Sequence, residues 1–406
     1  MSEWRDYSLG ELINVKHGYA FPGEFITPEA TPNVLVTPGN FHIGGGFKQD
    51  KFKYFSGNYP VSYLLKEGDI VVTMTDLSQE TDTLGFSAKI PNKKGIKFLH
   101  NQRIGLLEFI SEDADKDFIY WLLRTNEYQG FIVGASSGTS IRHTSPKFIK
   151  EYKFKLPSPK EQKAIASVLS SLDDKIDLLH RQNTTLERMA ETLFRQWFVE
   201  EAQEDWEEVP LDKLVNITSS KRVFYSEYVA SGVPFYRSKE IIELHNTGST
   251  NSELFISEAR FNEISNKFGA PQENDILLTS VGTLGVPYKV KKSDRFYFKD
   301  GNLTWFKDFL GMPSVIIYCW LKSNIGKEQL DSITIGSTQA ALTISGLKQI
   351  TFKVPPIEII KLAEEKLNAI YNKVDGNQKQ IQTLEKLRDN LLPKLMSGEI
   401  RISLND

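Results

Sequence analysis

Residues 119–193 and 317–391 carry the same pattern at a fixed offset of 198 positions, with no gap needed across the window. Ile119, Tyr120, Leu123 and Asn126 match Ile317, Tyr318, Leu321 and Asn324. Gly138, Phe154, Lys155, Pro157 and Lys163 match Gly336, Phe352, Lys353, Pro355 and Lys361. Lys175, Asp177, Gln182, Leu186, Glu187 and Leu193 then match Lys373, Asp375, Gln380, Leu384, Glu385 and Leu391. Upstream the offset drifts as loop insertions would make it drift: Leu9, Leu12 and Asn14 match Leu211, Leu214 and Asn216, and Glu67, Asp69, Ile70 and Thr73 match Glu273, Asp275, Ile276 and Thr279. The order is kept, and the matches include Gly, Pro and Asn, residues chosen by backbone geometry. A duplication of this kind restricts the chain to an A–B–A′–B′ architecture, each A a module of about 155 residues and each B a helix.

The B segments show seams spaced alternately by four and three. The first runs Ile165, Leu169, Leu172, Ile176, Leu179, Asn183, Leu186, Ala190, Leu193, Trp197, and the second Ala363, Leu367, Ile370, Val374, Asn377, Ile381, Leu384, Arg388, Leu391, Leu395. These are coiled-coil seams sustained over more than four heptads. Pro157 and Pro159 mark one helix start, and Pro355 and Pro356 the other. Each helix is expected to run roughly 40 residues, or about 60 Å. With Leu169 at an a position, Asn183 is an a and Asn377 a d. Only an antiparallel pair brings a against d, so the two asparagines set a register in which residue i faces 560 minus i. Leu179 then meets Ile381, Leu186 meets Val374, Ile176 meets Leu384, Leu169 meets Leu391, and Trp197 meets Ala363. Leu172 meets Arg388, whose stem would lie in the seam with its charge outside. An antiparallel pair of equal helices has a pseudo-two-fold axis, which predicts modules at opposite ends.

Both A modules read as strand-rich with short helices. Ile70–Thr73 follows a Gly68-Asp69 turn and Ile276–Thr279 follows Asn274-Asp275, while Phe118–Arg124 and Ser314–Lys322 read as helices. Residues 199–208 hold six acidic residues and no basic one, a solvated linker.

With 49 Lys and Arg against 52 Asp and Glu, the net charge is −3, so a nucleic-acid site would have to be local. Basic residues do cluster. Lys89, Lys93, Lys94, Lys97 and Arg103 form one stretch without an acid, and Lys289, Lys291, Lys292, Arg295 and Lys299 its counterpart with Asp294. Positive charge at equivalent places suggests loops facing phosphates, against the plainer reading of solvated hairpin tips. A polar loop, Ser136 to Thr144, includes Ser137, Thr139 and Arg142, and its counterpart includes Ser337 and Gln339. Hydroxyl and amide groups bond phosphates or base edges, and arginine grips guanine in two places; an ordinary surface turn is the alternative. Lys221 and Arg222, with Arg237 and Lys239, are further candidates in the second module.

The single cysteine, Cys319, excludes a disulfide framework, and the longest apolar run, Val315 to Leu321, is too short to span a bilayer. No signal-peptide core follows Met1, so a cytoplasmic location is expected. Gly326-Lys327 is followed by Glu328 and is no phosphate-binding loop. Val354-Pro355-Pro356-Ile357 lacks the Asn and aromatic of an amino-methyltransferase motif, and the six histidines show no metal-ligand spacing. A binding protein, not an enzyme, is the expectation, with no catalytic residue, cofactor or metal of its own.

Leu-Gly-Glu-Leu at 9–12, Glu-Gly-Asp-Ile at 67–70, Leu-Pro-Ser-Pro-Lys-Glu-Gln at 156–162, Leu-Phe-Arg-Gln-Trp-Phe at 193–198 and Leu-Leu-Pro-Lys-Leu-Met-Ser-Gly-Glu-Ile at 391–400, in this order within the repeat, resemble the specificity subunit of type I restriction–modification systems over nearly the whole chain. The resemblance implies an α+β fold: two strand-rich target recognition domains, 1–156 and 203–354, a central helical region, 157–202, and a C-terminal one, 355–406, whose helices form an antiparallel coiled coil. It implies that each domain reads half of a bipartite, asymmetric double-stranded DNA target, with the helix pair setting the unread gap. Two adenine N6-methyltransferase subunits using S-adenosylmethionine would bind the chain, and two ATP- and Mg-dependent restriction subunits would join them. Pro356-Ile357-Glu358-Ile359-Ile360 replaces the usual Glu-Gln start of the second helix, which puts identical partner contacts at the two ends in question. A free-standing two-site DNA-binding regulator and a coiled-coil scaffold without a methyltransferase partner are the competing readings.

Overall fold

The computed structural model describes residues 4–49, 51–76, 82–136, 142–336 and 340–402. The chain divides into two compact units, Met1–Asp177 with Gln382–Asp406, and Leu178–Ile381.

In the first unit, a ribbon of Arg5–Ser8 against Lys153–Leu156 brings the entry and exit of the module together. Between them lies an antiparallel sheet in the order Ile13–His17, Ile104–Phe109, Ile70–Thr73, Ser87–Lys89. A second sheet runs Ile26–Thr27, Lys53–Phe55, Asn33–Val36, Lys97–His100, its last pair parallel. Ile70–Thr73 is buried throughout, and its period of two divides it between two cores. Ile70 and Val72 face the helices carrying Phe118, Trp121 and Tyr128, while Val71 faces Val34, Val36 and Phe98 of the second sheet. The unbroken apolar run is therefore that of a strand covered on both faces.

The second unit repeats this plan. A ribbon of Glu207–Pro210 with Thr351–Val354 encloses a sheet in the order Val215–Thr218, Leu303–Phe309, Ile276–Thr279, Pro287–Lys289. The second sheet runs Tyr228–Val229, Phe255–Ile256, Val233–Tyr236, Tyr297–Phe298, again with a parallel last pair. Ile276 and Leu278 point one way and Leu277 the other, as in the first module. Two helices, Ser238–Thr247 and Glu258–Phe268, are additional here.

The long helices are Pro159–Arg195, of 37 residues, and Ile357–Met396, of 40. Two points in each unit show that they run antiparallel. In the first unit, Trp4 Nε1 donates to Glu161 at 3.2 Å while the Trp4 ring lies against Gly398, and Arg388 meets Asp173 at 2.6 Å. In the second, Asn377 Nδ2 donates to Asn183 Oδ1 at 2.8 Å, and Lys322 joins Glu187 at 2.9 Å beside the Tyr371 ring. Along one helix the numbers rise while along the other they fall, and the expected asparagine pair is present.

Three expectations need correction. Arg388 does not put its charge in solvent: its guanidinium is bound by Asp173, because Asp173 also faces the buried Arg124, at 2.7 Å, and can serve both. Residues 199–208 are not all linker. A π-helical turn spans Gln196–Glu200, Trp206 is buried, and Glu207 and Glu208 lie in the ribbon, where main-chain pairing holds them whatever their charge. The Glu-Gln start of the first helix is an internal fastening. Buried Gln162 accepts from Asp115 N at 2.7 Å and donates to the carbonyls of Asp113 and Pro157 at 2.8 and 2.9 Å. At the second helix, buried Ile360 packs in the core instead, an apolar answer to the same need.

Candidate nucleic-acid interface

In the first module the turn that carries Lys93 and Lys94 joins Ser87–Lys89 to Lys97–His100. Ile96 N donates to Lys93 O at 3.0 Å, and Gly95, at φ +81°, takes the left-handed conformation the turn requires. Lys93 Nζ stands 4.5 Å from the Phe52 ring centre. Lys93, Lys94, Lys97 and Arg103 are exposed, and none has an acidic partner among the described residues. The first three share one end of the strand Lys97–His100, and Arg103 lies beyond its other end. Lys89, by contrast, is engaged by Asp117 at 2.9 Å. Cations without a counter-ion are those able to neutralise phosphates.

The equivalent loop of the second module carries less free charge. Lys291 is paired with Asp375 at 3.0 Å, and Arg295 grips Glu258 through two bonds of 2.8 and 2.5 Å. Glu258 belongs to the additional helix Glu258–Phe268; at that place the first module has one turn, Val61–Tyr63. Lys292 is exposed without an acidic partner among the described residues.

Of the polar loops, Ser137 and Thr139, and Ser337 and Gln339, lie outside the described residues. Arg142 is described: Arg142–His143 pairs with Thr75–Asp76, and Arg142 Nη1 donates to Ser136 Oγ at 3.2 Å. Asp76, buried, accepts from Thr83 N and Oγ1 at 2.7 and 2.8 Å. In the second module Ala341 bridges to both Val281 and Ile335. The structure thus sets the flanks of each polar loop against the end of a central strand of the first sheet.

Lys221 and Arg222 follow Val215–Thr218. The Lys221 main chain donates to the Tyr297 hydroxyl at 2.9 Å, and Arg222 is paired with Asp300 at 2.8 Å. Arg237 and Lys239 are both tied to Glu253, and Arg237 also to the buried Glu240. Beside Lys221 and Arg222 sit two aromatic residues that sequence reasoning passed over, Phe224 and Tyr225, both strongly exposed. The signal was present as aromatic residues interleaved with basic ones.

The titratable groups of the interior are structural. Burial pushes His100 down to about 4 and Cys319 up to about 12, so both stay neutral. A cavity of about 520 Å³ in the second module is bordered by His245 and Lys322, which are already bonded to the Pro287 carbonyl and to Glu187. Among the described residues, exposed cations without acidic partners stand on turns at the ends of sheet strands, an arrangement able to neutralise phosphates.

The model of the type I restriction modification DNA specificity domain matches residues 1–188 and again 203–386. The chain is 27% identical over 307 residues to the type I restriction enzyme MjaIX specificity subunit of Methanocaldococcus jannaschii, covering 70% of this chain and 69% of that one. It is 21% identical over 434 residues to the EcoBI specificity subunit of Escherichia coli, covering 98% and 86%. The fold matches the crystal structure of the type I restriction–modification S subunit from M. genitalium with a TM-score of 0.60 at 18% identity, covering 99% of this chain and 97% of that one. Two copies of one module, each joined to one of two antiparallel helices and each matched separately by the same domain model, place this chain in the family of type I restriction–modification DNA specificity subunits.

Proposed function

We propose that the chain reads a bipartite, asymmetric target in double-stranded DNA, residues 1–156 reading one half and 203–354 the other. The observation that carries this is the duplication itself: two modules of one sheet topology whose exposed loops differ in charge and shape. Equal topology lets both approach a duplex in the same way, and unequal loops make them prefer different bases. Two half-sites multiply discrimination, since each base pair contributes about 1–3 kcal/mol, roughly additively. Among the candidates, Lys93, Lys94, Lys97, Arg103, Lys221 and Lys292 are the exposed cations open to phosphate. The polar loops with Ser137, Thr139, Arg142, Ser337 and Gln339 are the candidates for base edges.

The chain itself carries no catalytic step in this reading. Two methyltransferase subunits bring S-adenosylmethionine, and two restriction subunits bring ATP and Mg chemistry, all in the cytoplasm. No described helix is long and apolar enough to cross a membrane. The internal role of Gln162 removes one reason to expect unlike partner contacts at the two helix starts, because that side chain is buried. The test is exchange of residues 1–156 for the module of another family member, followed by mapping of methylated adenines. One half-site is expected to change and the other to stay. Alteration of both halves would refute modular reading, and failure to assemble with a methyltransferase would favour a free-standing regulator.

A further inference from the structure

We infer that Phe224 and Tyr225 form an aromatic wedge with which the second module presses on the bases of its half-site; the inference rests on that module being a DNA reader. Phe224 is 62% exposed and Tyr225 87%. The main chain that carries these exposed rings is held from several sides. Val223, just before them, is buried in the module core. Ser220 Oγ donates to Phe298 O at 2.7 Å, and Lys221 N donates to Tyr297 Oη at 2.9 Å. Tyr225–Glu227 is a single helical turn whose Glu227 carboxylate accepts from Phe224 N at 2.6 Å and is itself clasped by Arg260 at 2.7 Å. Tyr225 leans edge-on against Tyr228, ring centres 5.8 Å apart. The main chain under both rings is fixed before any ligand arrives, so little ordering entropy opposes contact.

The surroundings favour a polyanion. Lys221 Nζ lies 5.2 Å from the half-exposed Phe268 ring, next to Lys267. Lys299 follows Tyr297–Phe298, the strand that anchors Ser220 and Lys221. Lys221, Lys267 and Lys299 have no acidic partner among the described residues, while the nearby acids Glu227 and Asp300 are occupied by Arg260 and Arg222. Exposed rings flanked by free lysines match a duplex: rings against base faces or steps, ammonium groups on the adjoining phosphates. Among the described residues the first module has no such adjacent pair of exposed rings; its Phe25, 41% exposed, lies edge-on against Phe55. Its corresponding turn, Gly23–Phe25, precedes Ile26–Thr27 as Tyr225–Glu227 precedes Tyr228–Val229, which sets Pro22 and Gly23 where Phe224 and Tyr225 stand. The wedge is therefore specific to one half-site.

The experiment uses the full chain assembled with its methyltransferase subunits, titrated onto DNA carrying the target mapped for the wild-type complex. F224A/Y225A is expected to bind about tenfold or more weaker, in line with the worth of a base–aromatic stack. It should lose discrimination against mismatches in the second half-site only, with Y225F close to wild type. The slope of log affinity against log salt should not change, because no phosphate contact is removed. Unchanged affinity and discrimination, a changed salt slope, or loss of methyltransferase assembly instead of specificity would each overturn the wedge. A wild-type complex without a bipartite target would overturn the reading beneath it.

Discussion

Asp173 shows how one side chain can tie a module to the helices. It accepts from Arg124 at 2.7 Å and from Arg388 at 2.6 Å. Arg124 in turn donates to Tyr120 Oη and Gly44 O, at 2.7 and 2.9 Å, and its guanidinium lies 4.3 Å from the Trp121 ring centre. Burial alone would raise the Asp173 carboxyl, but the two guanidinium groups outweigh it and hold it below the usual carboxylate range. A depressed folded-state value means that the stabilisation is fully present above the unfolded carboxylate value, near pH 4, and is lost as pH falls through the folded one. D173N is expected to destabilise the protein by about 2 kcal/mol at neutral pH, through the uncompensated arginines. The gap from wild type should close as the solution is acidified below that range. Melting curves at neutral and acid pH measure this, and a gap independent of pH would contradict it. In the second unit the matching cation is Lys322 and its carboxylate Glu187, while Tyr371 stands where Asp173 does, so the same fastening is rebuilt from different residues.

At the scale of elements, the helix pair combines apolar seams with polar contacts, the Asp173–Arg388 pair and the Asn183–Asn377 pair. Asn377 is buried and donates to Asn183, an arrangement that specifies register at some cost in stability. N377L alone leaves the Asn183 amide without its partner and is expected to cost about 1 kcal/mol. N183L/N377L should melt above the single variant, since two apolar groups face each other again. Equal melting temperatures for the two would mean that the amides are not coupled. The seams and the asparagine match were legible in the sequence because helical periodicity is local. The partner of Arg388 was not, since Asp173 is brought to it by packing. The paired state of Lys291 and Arg295 was equally hidden: their acids, Asp375 and Glu258, lie 84 and 37 positions away in the chain.

At the scale of the whole molecule, both long helices belong in part to each unit, the divisions falling after Asp177 and after Ile381. Seven residues inserted at each of these points add about 10 Å of helix, the length of about three base pairs. The unread gap of the target is expected to lengthen accordingly, with both half-sites unchanged, as read by mapping the modified sites. A constant gap would show that helix length does not set the spacing. The duplication, the two long helices, their opposed directions and the buried strands Ile70–Thr73 and Ile276–Thr279 were all readable from residue order, because repeats, heptads and apolar runs are patterns of neighbours along the chain. Which cations remain free, that Gln162 is sealed inside while Tyr225 stands out in water, and that Trp206 is core and not linker came from the folded chain alone. Charge pairing and exposure depend on residues distant in sequence, and only packing brings those together.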